Sequence, residues 1–324
     1  SSDCTMVPMR CTQNPTIGEE WRKDWHPEII PAKGSEDRVL IVGAGPAGLE
    51  CARSLGNRGY AVTLAEARDA LGGRVHDESR MAGLATWGRV RDYRAGQIAK
   101  MPNVEIYYDS RLDADQVLEF GFDHVLIATG STWRRDGVAH FNTLPIPIAA
   151  DAEVLTPDDL MAGKRPVGKN VVLYDDDHYY MGGVLAELLV KDGSKVTLVT
   201  PSADISAWSK NTLDQFKIQA RLIELGVELV PARAVTAIAR GSVETTCFYT
   251  GRTDRRDADA VALVTARLPN DKLYLDLKAR VAEWSDAGIS AVKGAGDAWA
   301  PSTIAAAVYA GRRYAEELDA PAIG

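Results

Sequence analysis

Three glycines and one acidic residue form the segment of this sequence that is best suited to chemistry. Gly43, Gly45 and Gly48 follow the apolar run Val39–Val42, and Glu66 closes the next apolar run. In such a turn the first glycine permits a sharp bend, the second leaves room for a pyrophosphate, and the third allows close helix–strand packing. A carboxylate about twenty residues further on accepts hydrogen bonds from an adenosine ribose. The pattern predicts a site for an ADP moiety, and the alternative is an ordinary glycine-rich turn.

These residues need a parallel sheet to position them. The order strand, turn, helix and strand is typical of α/β dinucleotide folds, whose ligands lie at the carboxyl ends of the strands. The segment Phe122–Gly130 predicts a buried strand that ends at this edge, in Ala128, Thr129 and Gly130. Near the C-terminus Gly296 and Asp297 precede a helix rich in small residues. Asp297 would accept a hydrogen bond from a polyol such as the ribityl chain of FAD, or it is simply a helix N-cap.

The same pattern of strand, turn and helix restarts at Asn170 and predicts a second, similar unit. The three positions expected to be glycine hold Asp175, Asp177 and Tyr180 instead. Carboxylates repel a pyrophosphate, and the tyrosine fills the space that the third glycine should leave open. This unit is therefore expected to be a degenerate nucleotide fold, and the alternative is a metal site built from Asp175, Asp177 and His178.

We therefore expect an α/β fold with two Rossmann-like dinucleotide-binding domains, the second inserted in the first. Trp21 and Trp25 are expected to anchor an N-terminal arm, unless that arm leads out of a preceding domain. The expected parts are residues 1–33 as arm or linker, 34–154 with 268–324 as the FAD- or ADP-binding domain, and 155–267 as the degenerate NAD(P)-binding-like domain.

Composition limits the classes of partner. The 324 residues are 46% hydrophobic and carry a net charge of -8, which disfavours nucleic acid or an anionic membrane as the main partner. No apolar run approaches the roughly 20 residues of a membrane span. Four cysteines are too few for a disulfide scaffold, and the N-terminus lacks the features of a secretory signal, so a cytoplasmic location is expected.

The glycine turn, Glu66, the pair Gly72–Gly73, Ala128–Gly130 and Gly296–Asp297 together resemble flavoproteins of the glutathione-reductase type. More specifically, the segments 9–21 and 25–27, with the sequences MRCTQNPTIGEEW and WHP, are similar to the segment that follows the barrel domain in trimethylamine, dimethylamine and histamine dehydrogenases. Those enzymes are related to dienoyl-CoA reductase and the old yellow enzymes. The resemblance implies that this chain is the C-terminal portion of such an enzyme, without the barrel that carries FMN.

The family's [4Fe–4S] cluster is not expected here. Cys11 matches its last ligand, but the three closely spaced cysteines that precede it in the family are absent, and Cys4 does not stand at their spacing. Such a cluster needs four thiolates. We therefore expect neither a cluster nor another metal in this chain.

The resemblance implies an FAD-binding oxidoreductase module that accepts hydride from NAD(P)H and passes electrons slowly to quinones, dyes or oxygen. The alternatives are a non-catalytic ADP-binding structural domain and a scaffold whose arm docks a separate barrel chain. No side chain is predicted to act as a catalytic acid or base, and Arg74 either pairs with a phosphate or faces solvent. The residues expected to contact the cofactor are Gly43, Gly45, Pro46, Ala47, Gly48, Glu66, Ala67, Gly73, Arg74, Ala128, Thr129, Gly130, Gly296, Asp297 and Ile304.

Overall fold

The chain forms two parallel sheets, each joined to helices. The structure is a computed structural model that describes residues 9–22 and 29–319. The strands are β1 (Arg38–Val42), β2 (Ala61–Ala65), β3 (Val104–Tyr107), β4 (His124–Ile127), β5 (Ser131–Trp133), β6 (Val154–Leu155), β7 (Asn170–Asp175), β8 (Lys195–Val199), β9 (Glu228–Val230), β10 (Arg233–Ala239), β11 (Ser242–Cys247), β12 (Thr253–Asp257), β13 (Ala260–Val264), β14 (Arg267–Pro269) and β15 (Ala291–Gly294). The α-helices are α1 (Pro46–Arg58), α2 (Arg74–Glu78), α3 (Gly88–Ile98), α4 (Ala114–Phe120), α5 (Pro157–Met161), α6 (Met181–Lys191), α7 (Gln215–Glu224), α8 (Lys272–Ala279) and α9 (Ile304–Glu317).

The first sheet has the strand order β15–β4–β1–β2–β3, and every neighbouring pair is parallel. Successive side chains of a strand point to opposite faces. Val39 and Ile41 accordingly pack in a core with α1, α3 and α9, whereas Leu40 and Val42 pack in another with α4 and α8. Because helices cover both faces, β1 must be apolar at successive positions, which explains its sequence.

The second sheet has the order β6–β13–β7–β8–β9. In β7, Val171 and Leu173 pack in a core with α6, and Val172 and Tyr174 face the other way, toward the antiparallel strands β10 and β11. Helices therefore cover one face of this sheet, and a small antiparallel sheet covers the other. Both sheets are parallel and carry helices, as the predicted α/β fold requires, but helices cover both faces only in the first.

A two-stranded connection joins the sheets. Strand β5 follows β4 and pairs antiparallel with β14, which precedes β15. The second sheet thus lies in the chain between two adjacent strands of the first, which confirms the predicted insertion. Strand β6 spans residues 154 and 155, where one predicted limit falls, and it pairs with β13 of the second sheet.

The described part of the arm contacts helix α9. The guanidinium of Arg10 stacks over the ring of Tyr309 at 4.0 Å, and Arg22 Nη2 donates to the Tyr309 hydroxyl at 3.3 Å. Trp21 is 71% exposed, so its predicted role as an anchor is wrong. Cation–π and polar contacts hold this segment instead, and Trp25 lies outside the described residues.

Within 9–22 and 29–319, no helix combines the length and the apolar character that a bilayer span needs.

Candidate functional site

The turn between β1 and α1 has the geometry that its glycines predict. Gly43 has φ 104°, and a Cβ there would lie 2.4 Å from the carbonyl oxygen of Ala128. A Cβ on Gly48 would lie 1.9 Å from the carbonyl oxygen of Gly43. At Gly45, by contrast, a Cβ would meet nothing within 4 Å. The fold itself requires the first and third glycines, whereas the second leaves open space.

The N-terminus of α1 faces that space. Gly45 is its N-cap residue and offers no side-chain cap, so the first N–H groups of this helix have no side-chain acceptor. Unpaired N–H groups and the helix dipole together favour an anion at this position. The loop after β2 folds back onto the turn, since Gly72 N donates to the carbonyl oxygen of Ala44 at 2.8 Å.

Glu66 lies at the end of β2 and is 6% exposed. Its Oε2 accepts a hydrogen bond from Ala44 N at 2.8 Å, and its Oε1 accepts one from Arg68 N at 2.9 Å. An ionised carboxylate has about four acceptor positions, so each oxygen can accept a further hydrogen bond. The side chain is therefore held in place by the backbone while it keeps acceptors for a ligand.

A cleft of about 1770 Å³ runs between the two sheets. Connections that follow strands of the second sheet contribute Asp177, Tyr179 and Trp208 to its wall. Gly48 and Gly296 lie outside the lining, in positions where helices pack closely. The predicted contact residues that line the cleft are Gly43, Gly45, Pro46, Ala47, Glu66, Ala67, Gly73, Arg74, Ala128, Thr129, Gly130, Asp297 and Ile304.

Asp297 is already engaged by other side chains. Its Oδ2 accepts hydrogen bonds from Arg74 Nη2, from Arg267 Nη1 at 2.5 Å and from Ser131 Oγ at 2.8 Å, while its Oδ1 accepts one from Ser302 N at 3.0 Å. The carboxylate expected to hold a polyol hydroxyl is thus surrounded by donors. The guanidinium groups of Arg74 and Arg267 both lie in the cleft, and Arg74 follows Gly73, which lies against the glycine turn.

Two alternatives for these residues are wrong. Thr303 caps α9, because its side chain accepts from Ala306 N, so Asp297 is not the N-cap of that helix. Arg74 does not simply face solvent, because its side chain is 19% exposed and it pairs with Asp297. The sequence pattern does not single out Arg267, although an arginine shortly after the apolar strand β13 was an available signal.

The corresponding turn in the second sheet is closed to a phosphate. Asp175 is fully buried, and its Oδ1 accepts hydrogen bonds from the backbone N–H groups of Asp177 and His178. Its Oδ2 has no hydrogen-bond partner among the described residues. Burial, and then the charge of Asp177, raises the pKa of Asp175 to about 7. A second anion at this turn would be repelled.

The metal alternative at this turn is wrong. No group of three or more His, Cys, Asp or Glu side chains in the described parts of the chain could hold a metal ion. His178 Nε2 instead lies 3.1 Å from Asp176 Oδ1, and His178 Nδ1 lies 3.2 Å from Thr200 Oγ1. The imidazole is used within the protein.

Tyr180 does not occupy the position of the third glycine, contrary to the sequence prediction. The turn is longer than the first one, because α6 begins only at Met181. Gly182 takes the packing position, since a Cβ there would lie 2.5 Å from Asp175 Oδ2. The Tyr180 hydroxyl instead crosses the cleft and donates to Glu78 Oε2 at 3.1 Å, a contact that the sequence does not predict.

Known proteins are similar to this chain over almost its whole length. The family model described as "Pyridine nucleotide-disulphide oxidoreductase" matches residues 17–87 and 37–310. The solved structure of histamine dehydrogenase from Rhizobium sp. 4-9 is 58% identical with a TM-score of 0.97, covering 99% of this chain and 50% of that one.

Two curated relatives extend this similarity. Dimethylamine dehydrogenase of Hyphomicrobium sp. (strain x) is 39% identical over 97% of this chain and 46% of its own length. NADH oxidase of Thermoanaerobacter brockii is 28% identical over 96% of this chain and 44% of its own length. The chain spans about half the length of these relatives. The resemblance to amine dehydrogenases that the sequence predicts is confirmed.

Proposed function

Since the chain belongs to the pyridine nucleotide-disulphide oxidoreductase family, we propose that its cleft binds the ADP moiety of a nucleotide on the turn between β1 and α1. The observation that carries this proposal is the open space at Gly45 beside the buried carboxylate of Glu66. The N–H groups of α1 would bind the pyrophosphate, and Glu66 would accept hydrogen bonds from the ribose hydroxyls.

ADP itself is the ligand that these side chains fit best. The sequence favours FAD because of Asp297, but Asp297 Oδ2 already accepts hydrogen bonds from Arg74, Arg267 and Ser131. A ribityl chain would compete with these donors at Oδ2 and would find a free acceptor position only at Oδ1, which accepts one hydrogen bond from Ser302 N. A terminal phosphate would instead meet two guanidinium groups, which bind phosphate oxygens well. In this form the chain is the nucleotide-binding, non-catalytic module of a larger amine-oxidising flavoprotein.

FAD is the second candidate, favoured by the family and by the similarity to an NADH oxidase. The flavin would supply the hydride and electron chemistry, while this chain binds and orients it. The electrons would pass from NAD(P)H to quinones, dyes or oxygen. Reduction would be slow, because the second turn buries Asp175 where a nicotinamide dinucleotide needs its phosphate site.

A partner carrying the amine chemistry is part of the proposal. Both amine dehydrogenases above are about twice as long as this chain, so a barrel with FMN would contribute the remaining half. We expect this chain to hold no iron–sulfur cluster. Cys11 is a free thiol, and Cys4 lies outside the described residues.

The visible absorption spectrum of the purified protein separates the two candidates. A colourless protein that releases ADP on denaturation supports the ADP module. Flavin bands that bleach with anaerobic NADH support the FAD reductase, and flavin bands that persist support an FAD-binding module without a working nicotinamide site. A protein that neither retains nor rebinds an adenine nucleotide would contradict the proposal.

A further inference from the structure

We propose that Tyr180, which belongs to the second nucleotide-like unit, is a positioning residue for the nucleotide site of the first. Through Glu78 it holds the guanidinium of Arg74 beside the glycine turn. This inference rests on the proposed function, since Arg74 matters here as a contact to the nucleotide phosphates.

Three side chains connect the two units. The Tyr180 hydroxyl donates to Glu78 Oε2 at 3.1 Å, and Glu78 Oε1 lies 3.7 Å from Arg74 Nε. Glu78 is 2% exposed, so water does not replace either partner easily. The carboxylate therefore lies between a hydroxyl from one unit and a guanidinium from the other.

The hydroxyl matters because the carboxylate is buried. Burial raises the pKa of Glu78, whereas Arg74 and the Tyr180 hydrogen bond lower it. Loss of the Tyr180 hydroxyl removes one of the groups that stabilise the ionised form of Glu78. The carboxylate then takes up a proton or turns toward another donor, and in either case it holds Arg74 less well.

The other end of Arg74 points into the nucleotide cleft. Its Nη2 donates to Asp297 Oδ2 and, at 2.9 Å, to Ser131 Oγ. Arg74 follows Gly73, where a Cβ would lie 3.1 Å from Gly45 Cα. The guanidinium is thus held at two ends, next to the proposed phosphate position.

The aromatic surroundings fix the direction of Tyr180. Its ring packs edge-on against Trp87 of the first unit, with centroids 4.5 Å apart. The ring of Tyr179 also packs edge-on against it, with centroids 4.8 Å apart. The turn that lost its glycines therefore contributes a rigidly placed hydroxyl to the neighbouring site.

The test compares Tyr180→Phe with Tyr249→Phe in the full chain. Tyr249 belongs to the same unit as Tyr180, but it is exposed and lies outside the lining of the cleft. Isothermal titration of dialysed protein with ADP and with adenosine gives two dissociation constants for each variant. We expect Tyr180→Phe to weaken ADP binding by about tenfold, the effect of one lost hydrogen bond to a charged group, and to leave adenosine binding unchanged. Tyr249→Phe should change neither constant.

A double-mutant cycle completes the test. In an Arg74→Met background, Tyr180→Phe should cause no further loss of ADP affinity, because its effect passes through that guanidinium. Unchanged ADP binding in Tyr180→Phe, or an equal loss of ADP and adenosine, would overturn the positioning role while the proposed function stands. Failure of the wild-type chain to bind either ligand would overturn both.

Discussion

The buried carboxylate of Asp175 predicts how the stability of this protein depends on pH. Its pKa is about 7 in the folded chain, against an ordinary value of 3.8. Between these values the folded state keeps a proton that the unfolded state has lost, so the free energy of unfolding falls as pH rises through this window. A shift of about three units at 1.36 kcal/mol each amounts to about 4 kcal/mol, an order-of-magnitude figure.

Asp175→Asn should remove this dependence. An amide oxygen can still accept the two backbone hydrogen bonds from Asp177 and His178, and the amide carries no charge to desolvate. The variant should be more stable than the wild type at pH 8, by about 4 kcal/mol, and similar to it at pH 4. His178 contributes a slope of the same sign, because burial lowers its pKa but Asp176 and Asp175 raise it by more.

Urea unfolding at intervals from pH 4 to pH 8 measures the effect. Asp257→Asn is the matched control, since Asp257 is an exposed carboxylate on a strand of the same unit. It should leave the pH profile parallel to that of the wild type. If Asp175→Asn also gave a parallel profile, the burial of a proton-binding carboxylate at this turn would be refuted as the cause.

Three further outcomes follow from the site and its supporting contacts. Gly45→Val should abolish ADP binding without changing the melting temperature, because its side chain would fill the open space proposed for the pyrophosphate. Gly48→Val should unfold the protein instead, because its Cβ would lie 1.9 Å from a backbone oxygen. Retained ADP binding by Gly45→Val would contradict the proposed site. Glu66→Gln should weaken ADP binding by about 1–3 kcal/mol in a titration, as expected when a charged hydrogen-bonding group is lost. An unchanged dissociation constant would exclude a hydrogen bond from the ribose to Glu66. Arg94→Met breaks a fully buried ion pair with Glu50 at 2.7 Å. It should lower the free energy of unfolding, measured in urea, by about 3 kcal/mol. A decrease of less than about 0.5 kcal/mol would show that the pair adds little to stability.

Local contacts explain why so much of the first turn is predictable. The bend at Gly43 and the packing at Gly48 depend on atoms within a few residues or on the adjacent parallel strand. The alternation of Val39 and Leu40 between two cores depends on strand geometry alone. Thr156 likewise begins α5 with a capping box that involves Asp159, three residues later. Such features depend on short segments of the chain and can therefore be predicted from the sequence.

Longer contacts account for the expectations that changed. Asp297 is bound by Arg74, which is 223 residues away, so its engagement cannot be seen in the segment around it. Trp21 has a large aromatic side chain of the kind that can anchor a segment, but it stays exposed, because Arg10 and Arg22 make the contacts to α9.

The two-unit α/β fold and the glycine turn follow from the sequence, because periodic apolar strands and glycine positions act over short distances. The donors around Asp297, the packing role of Gly182 and the contact of Tyr180 with Glu78 across the cleft depend on the folded chain. Packing two sheets together brings side chains into contact whatever their separation along the chain, so these contacts leave no local pattern in the sequence.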